Sequence, residues 1–174
     1  MSEGTTQTPY LVISAEENPL LSYYKHLCVS YEMFVMSFMR RHGQGAYQGG
    51  VYEFRLYPNN LLVMVFPDLD TKVPYINEGA QNEVMISLEC LSLVASATYF
   101  SMLCFDAVET GNDELGGFAH DCFHGLRDAL IGRLDFVIQP WADCREPTES
   151  DLDAASNLIG IKHPEASEFY QCID

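Results

Sequence analysis

The sequence predicts an α+β fold of a single domain, in which an antiparallel β meander packs with several α-helices. The chain has 174 residues, which suits one ordinary domain. Its composition, 48% apolar and 20% charged, is that of a globular protein. From residue 51 to residue 86, short segments in which apolar and polar residues alternate predict strands. Apolar helical segments precede and follow this region. Because these strands follow one another through short turns, we expect them to pair antiparallel.

The N-terminal part predicts a tail followed by a long helix. Residues 1–15 are expected to be flexible, with a short extended piece at Leu11–Ser14, and residues 16–174 to form the domain. Asn18 followed by Pro19 is typical of a helix N-cap and first helical residue. The helix is expected to run from Leu20 to His42, before Gly43, with a break near Val29–Ser30.

Four strands are predicted in the middle of the chain, because apolar and polar residues alternate between turn signals. Turn residues at Pro58-Asn59-Asn60 and Asn77-Glu78-Gly79 separate successive strands. The predicted strands are Val51–Tyr57, Leu61–Phe66, Lys72–Ile76 and Gln81–Ile86.

A central helix is predicted from Leu88 to Val108, with Ser87 as its N-cap. It overlaps an apolar stretch in which Glu89 is the single charge and which is long enough to span a bilayer. Interspersed serines and the lack of flanking Lys or Arg favour a buried core helix without a membrane partner. The expected core residues are Leu91, Val94, Ala95, Phe100 and Leu103.

The C-terminal third predicts further helices and an insertion. A helix is expected over Asp113–Ile131, and the short apolar segment Leu134–Ile138 fits either a strand or the end of that helix. Residues 132–150 are expected to be an insertion into the domain. Two short helices follow, Asp151–Ile159 and Pro164–Ile173, the second with Pro164 in its first position.

The net charge of −16 is the most unusual property of the composition. With 9 Lys+Arg against 25 Asp+Glu, the chain has no basic face for nucleic-acid phosphates, so direct nucleic-acid binding is excluded. A protein partner with a basic groove is favoured. A surface that only keeps the protein soluble remains the alternative. The sequence does not indicate the oligomeric state.

Two groups of residues are candidates for partner binding. The first is acidic and lies in the C-terminal part, where most of the negative charge is found. Its members are Asp113, Glu114, Asp121, Asp128, Asp135, Glu146, Glu149, Asp151 and Asp153. The second is aromatic and belongs to the predicted sheet, at Tyr47, Tyr52 and Tyr57.

No catalytic motif is found, so the chain is expected not to be an enzyme and to need no cofactor or metal. His120 and His124 are four residues apart on a predicted helix, a spacing that can place two ligands on one zinc ion. Together with Cys122 they leave a small metal- or thiol-dependent enzyme as an alternative. The six scattered cysteines and the polar N-terminus without a signal peptide favour a reduced, cytoplasmic protein.

A series of short strings occurs in order along the chain, over roughly residues 28–110 and 155–174. The strings are Phe38-Met39-Arg40-Arg41, Gly45-Ala46-Tyr47, Tyr52–Tyr57, Pro67-Asp68, Asn77-Glu78-Gly79, Ile86-Ser87-Leu88, His163-Pro164-Glu165-Ala166, Tyr170 and Ile173-Asp174. The His-Pro-Glu-Ala string near the C-terminus is the most specific of them. Taken together, these strings resemble the ArdB/KlcA family of antirestriction proteins.

The resemblance implies a small, non-catalytic protein, carried by plasmids, phages or genomic islands, that protects incoming DNA from type I restriction enzymes. Its partner would be a host restriction complex, with which it would interact directly or indirectly. Inhibition of another defence system that targets nucleic acid, such as a CRISPR effector, would use the same charge and remains an alternative. The insertion and the bulky residues of the central helix depart from the family pattern.

Overall fold

The computed structural model describes residues 8–139, 149 and 160–173. It confirms the α+β fold, in which short antiparallel strands pack with helices. The strands are β1 (Leu11–Ile13), β2 (Glu53–Leu56), β3 (Leu62–Val65), β4 (Lys72–Asn77) and β5 (Asn82–Ser87). The helices are α1 (Pro19–Tyr24), α2 (Cys28–His42), α3 (Leu88–Glu109), α4 (Asp113–Leu130) and α5 (Ala166–Ile173).

The predicted meander is divided into two sheets. β1, β2 and β3 form one antiparallel sheet in that order, and β4 and β5 form a separate hairpin. The Asp68 carboxylate explains the division, because it accepts hydrogen bonds from the backbone N–H groups of Asp70 and Thr71 and from the Thr71 hydroxyl. This side-chain-stabilised turn redirects the chain after β3. The extended piece expected near Leu11 is β1, which pairs with β2.

The long N-terminal helix is interrupted earlier than the sequence predicts. α1 ends at Tyr24, and a short 3-10 segment over Lys25–Leu27 precedes α2. Lys25 has a φ of 52°, which is incompatible with the continuation of a right-handed α-helix, so the break lies there and not near Val29–Ser30. Asn18 is the N-cap residue of α1, but its side chain makes no capping hydrogen bond because its backbone is left-handed.

Tyrosine hydroxyls fasten the first two helices to the sheet. The Tyr23 hydroxyl donates to the Asn60 carbonyl, and the Tyr24 hydroxyl donates to the Leu62 carbonyl. The Tyr31 hydroxyl accepts the backbone N–H of Met64 at 3.1 Å. The rings are buried and the polar tips satisfy backbone groups of the sheet, so these contacts fix the helices against it.

α3 is the central element and packs against α2, α4, α5, β3 and β5. The Ser87 side chain accepts the backbone N–H of Cys90, which confirms the predicted N-cap. Four of the five expected core residues are buried, and Leu103 is half-buried. Among the described residues α3 is long and apolar enough to cross a membrane, but 67% of its most apolar stretch is buried inside the protein. That burial favours a core helix.

The C-terminal segments differ from the predictions in three places. α4 ends at Leu130, one residue before the predicted end, and Asp135 lies beyond it in the Leu134–Ile138 segment. Leu134–Ile138 is neither strand nor helix, although Ile138 is buried and its N–H donates to the Asn59 carbonyl. α5 begins at Ala166, two residues after Pro164.

Some predictions lie outside the described residues. They concern Glu146, Asp151 and Asp153, the greater part of the insertion, and the helix over Asp151–Ile159.

Candidate functional site

The acidic residues of α4 lie on a surface that also carries positive charge. Asp113 and Glu114 are exposed in the first turn of α4, where negative charge complements the helix dipole. Asp121 and Asp128 are half-exposed further along the helix. Glu149 is exposed as well.

Two arginines interrupt this surface. Arg133 pairs with Asp135 at 2.8 Å, and the Arg127 guanidinium lies 5.0 Å from the centre of the Tyr170 ring. Burial and the nearby Asp135 carboxylate raise the pKa of Asp128. The acidic residues are therefore distributed, and no continuous ladder of charge follows α4.

The turn between α3 and α4 gathers acidic residues from both helices. Asp106 and Glu109 in the last turns of α3 are exposed, as are Asp113 and Glu114 at the start of α4. Asn112 holds the start of α4 by accepting the Leu115 N–H at 3.2 Å. We call these four carboxylates the hairpin cluster. Asp106 and Glu109 were not among the acidic candidates chosen from the sequence. The short turn predicted between the two helices nevertheless implies that they lie near Asp113.

The three candidate tyrosines are mostly inaccessible. Tyr57 is only 1% exposed, so its ring belongs to the core and offers no surface to a partner. Tyr47 is buried too, and its hydroxyl lies 2.6 Å from that of the half-buried Tyr52. Burial and this hydrogen bond raise the pKa of Tyr52. Both rings also contact Phe66 edge-on, so they stabilise the loop that leads into β2.

His120 and His124 lie side by side on α4, with ring centres 4.3 Å apart. Cys122 between them is fully buried and faces the opposite side of the helix. Burial, His120 and Arg127 together lower the pKa of His124. Among the described residues, no group of three or more His, Cys, Asp and Glu side chains could hold a metal ion. His163 is engaged elsewhere, in a hydrogen bond with the Glu89 carboxylate.

A buried charged network joins β2, α3 and the C-terminal segment. The Glu89 carboxylate accepts a hydrogen bond from Arg55 Nη2 at 2.7 Å and lies 2.6 Å from His163 Nε2. Arg55 Nε donates to the Glu53 carboxylate at 2.6 Å. Arg55, Glu89 and His163 are each at most 8% exposed. The charges of Arg55 and Glu89 are tolerated in the protein interior because they are paired with each other.

The backbone assigns the protonation of this network. His163 Nδ1 accepts the Glu165 backbone N–H at 3.0 Å, so it carries no proton and Nε2–H donates to Glu89. Burial opposes the charged form of Glu89, but the hydrogen bonds from His163 and Arg55 outweigh it and lower the pKa of this carboxyl. Glu89 is therefore an ionised carboxylate held in the core.

Glu165 fastens the C-terminal segment to the start of α3. Its carboxylate accepts the Ser87 backbone N–H at 2.9 Å and the Ser87 hydroxyl, and Lys72 Nζ lies 3.3 Å away. The residues of the His-Pro-Glu-Ala string therefore hold α3 at its N-terminus. Two signals pointed to this network: the single charge in the apolar helix and the specificity of that string. Neither identified Arg55, whose position in a short strand is unremarkable.

Comparisons with known proteins give one structural match. No protein-family model matches the chain, and no curated protein does. A solved structure of the KlcA and ArdB proteins is 19% identical to the chain, with a TM-score of 0.60 over 98% of this chain and 99% of that one. Those proteins are described as showing a novel fold and antirestriction activity against type I DNA restriction systems in vivo but not in vitro. The resemblance seen in the sequence is thus confirmed as a shared fold: this chain has the fold of KlcA and ArdB.

Proposed function

We propose that the protein counteracts type I restriction enzymes of a host cell and so protects incoming unmodified DNA. The observation that carries the proposal is the match to KlcA and ArdB along almost the whole of both chains. The shared strings near α2, the strands and the C-terminus support it from the sequence. The action is placed in the cytoplasm, where incoming DNA meets these enzymes.

The inhibition is proposed to be non-catalytic and to work through a protein partner. A net charge of −16 opposes contact with DNA and favours a basic protein surface. The buried side chains of Glu89, His163 and Glu165 are engaged in structural hydrogen bonds that hold α3 in place. Burial also raises the pKa of the Cys90 and Cys172 thiols, which makes them poor nucleophiles.

The hairpin cluster is the proposed source of electrostatic attraction, together with Asp121 and Asp128. Four exposed carboxylates beside the α3–α4 turn produce a local negative field, whereas Tyr57 and Tyr47 are buried and offer little of their own rings to a partner. Fields of this kind act mainly on the rate of association and on its salt dependence.

The test is made in living cells, because the activity of KlcA and ArdB is described in vivo and not in vitro. Unmodified phage is plated on a type I restricting host with and without the expressed protein. Plating efficiency is expected to rise toward that of an isogenic non-restricting host, and modified phage serves as the control. An unchanged efficiency with soluble, folded protein would refute the proposal for that enzyme.

A further inference from the structure

Two histidines lie one turn apart on the solvent-facing side of α4. The side chain of His120 is 61% exposed, and His124 is half-exposed. Their ring centres are 4.3 Å apart, with an angle of 50° between the ring planes. Cys122 and Leu126, on the other side of the helix, are buried in the core and hold this part of α4 in place. We call His120 and His124 the histidine pair.

The distance between the two rings is that of two ligands of one metal ion. An imidazole nitrogen binds zinc at about 2.0–2.1 Å, which places the centres of two rings on one ion roughly 4.5–5 Å apart. The observed 4.3 Å lies just below that range. Because both rings project from one face of the same helix, the fold has already brought the two ligands together. Binding of the second ring to an ion held by the first is therefore an intramolecular step.

The protonation of the histidine pair also suits metal binding. His120 Nδ1 lies 3.4 Å from the Asp121 carboxylate. A carboxylate in this position keeps the proton on Nδ1 and leaves the lone pair of Nε2 for a metal, as it does behind many zinc-bound histidines. Burial, His120 and Arg127 lower the pKa of His124, so its ring is neutral at physiological pH and retains a lone pair.

The charges around the histidine pair favour a cation. The Asp121 and Asp128 carboxylates both act on His124, and Asp128 lies one further turn along the same face. Arg127 is the opposing charge. Its guanidinium is engaged with two aromatic rings, 5.0 Å from the centre of Tyr170 and 5.8 Å from that of Phe123. Two carboxylates therefore face the pair, whereas the nearby cation is held by other partners.

We propose that His120 and His124 bind a divalent transition metal ion of the Zn²⁺, Ni²⁺ or Cu²⁺ type, through one ring nitrogen each and with water at the other positions. Imidazole nitrogens favour these ions, whereas Mg²⁺ and Ca²⁺ prefer oxygen ligands. Structural zinc sites use four protein ligands and catalytic sites three. A site with two protein ligands exchanges its ion with the solution, and it assigns no catalysis to the protein. The binding does not depend on the proposed function.

The ring signals of the histidines test the binding directly. The protein is labelled with ¹⁵N-histidine, and its imidazole resonances are followed by NMR at neutral pH while Zn²⁺ is added. The chain has five histidines, so His26, His42 and His163 serve as internal controls. Zn²⁺ should shift the His120 and His124 signals together, and Mg²⁺ at the same concentration should leave them unchanged. Because each ring is observed separately, zinc bound by thiols elsewhere does not affect the result.

The variant His120→Ala removes one of the two ligands from an exposed position. The remaining ring of His124 should bind Zn²⁺ at least about tenfold more weakly, because the chelate is lost. His124→Ala is the reciprocal variant, with His120 as the reporting ring, if His120→Ala does not fold. His26→Ala removes an exposed histidine outside α4 and should leave the zinc affinity of the pair unchanged.

Two results would overturn the proposal. One is the absence of a shift of His120 and His124 in the wild type at millimolar Zn²⁺. The other is an equal zinc affinity in the wild type and in His120→Ala, because each ring would then bind zinc alone. The phage plating assay decides the proposed function separately. A wild type that does not protect phage leaves the zinc result standing, and a protective protein without these shifts refutes the metal site alone.

Discussion

Replacement of Glu89 with glutamine should strongly destabilise the protein. The substitution keeps the shape of the side chain but removes the charge that faces Arg55 at 2.7 Å, and its amide N–H₂ cannot accept from both Arg55 and His163. Removal of one partner from a buried ion pair costs about 3–5 kcal/mol. In a protein of this size each kcal/mol lowers Tm by roughly 2–4 °C, so Tm should fall by about 6–20 °C.

Urea denaturation at neutral pH measures this effect, and Glu83→Gln is the matched control. Glu83 is exposed and makes no ion pair with a described residue, so its substitution should change the unfolding free energy by at most about 0.5 kcal/mol. If Glu89→Gln cost less than about 1 kcal/mol, the buried network would not be holding α3 as described.

The stability difference between the wild type and Glu89→Gln should depend on pH, and the direction of that dependence follows from the pKa of Glu89. The pKa of Glu89 is lowered in the folded state, so its contribution to stability is fully present above the unfolded-state pKa of about 4.3. It is lost as pH falls through the folded-state pKa. The difference in unfolding free energy between the wild type and Glu89→Gln should therefore shrink on acidification below that value. A difference that grew instead would contradict the assignment of Glu89 as ionised.

Four further predictions concern separate parts of the molecule. Gly132→Ala should cost at least about 1 kcal/mol, because Gly132 has a φ of +73° and an added Cβ would lie 2.7 Å from the Gly160 carbonyl carbon. At Gly117 in α4 an added Cβ would meet no atom within 4 Å, so Gly117→Ala should stabilise the protein by about 0.5–1 kcal/mol. Thermal denaturation measures both glycine substitutions. Ser87→Ala should cost about 1–3 kcal/mol in urea, since α3 loses its cap and Glu165 loses a donor. Neutralising four carboxylates together should slow association with the host partner and weaken its salt dependence, whereas each single change should be nearly silent in plating assays. The four are Asp106, Glu109, Asp113 and Glu114.

The sequence located most elements of the fold because their signals are local. Turn residues bounded the four strands of the middle region, and Ser87 marked the start of α3. The division into two sheets was not predictable, because it depends on the Asp68 side chain bonding to three groups at once. The break at Lys25 depends on one residue with a positive φ, and no glycine or proline indicates it.

The site was less accessible to sequence reasoning because its contacts are distant along the chain. Glu89 was recognisable as the single charge in an apolar helix, but its partners lie 34 residues before it and 74 after it. Tyr57 was a candidate because it is an aromatic residue of the predicted sheet, yet its side chain is buried in the core.

The fate of incoming DNA tests the central claim most directly. Intact phage DNA is quantified shortly after infection of a type I restricting host by unmodified phage, with graded expression of the protein. This readout is independent of later phage growth. We expect intact DNA to increase with expression until it reaches the amount in an isogenic non-restricting host, with no change for modified phage. Degradation that is unaffected by folded, soluble protein at every expression level would contradict the account.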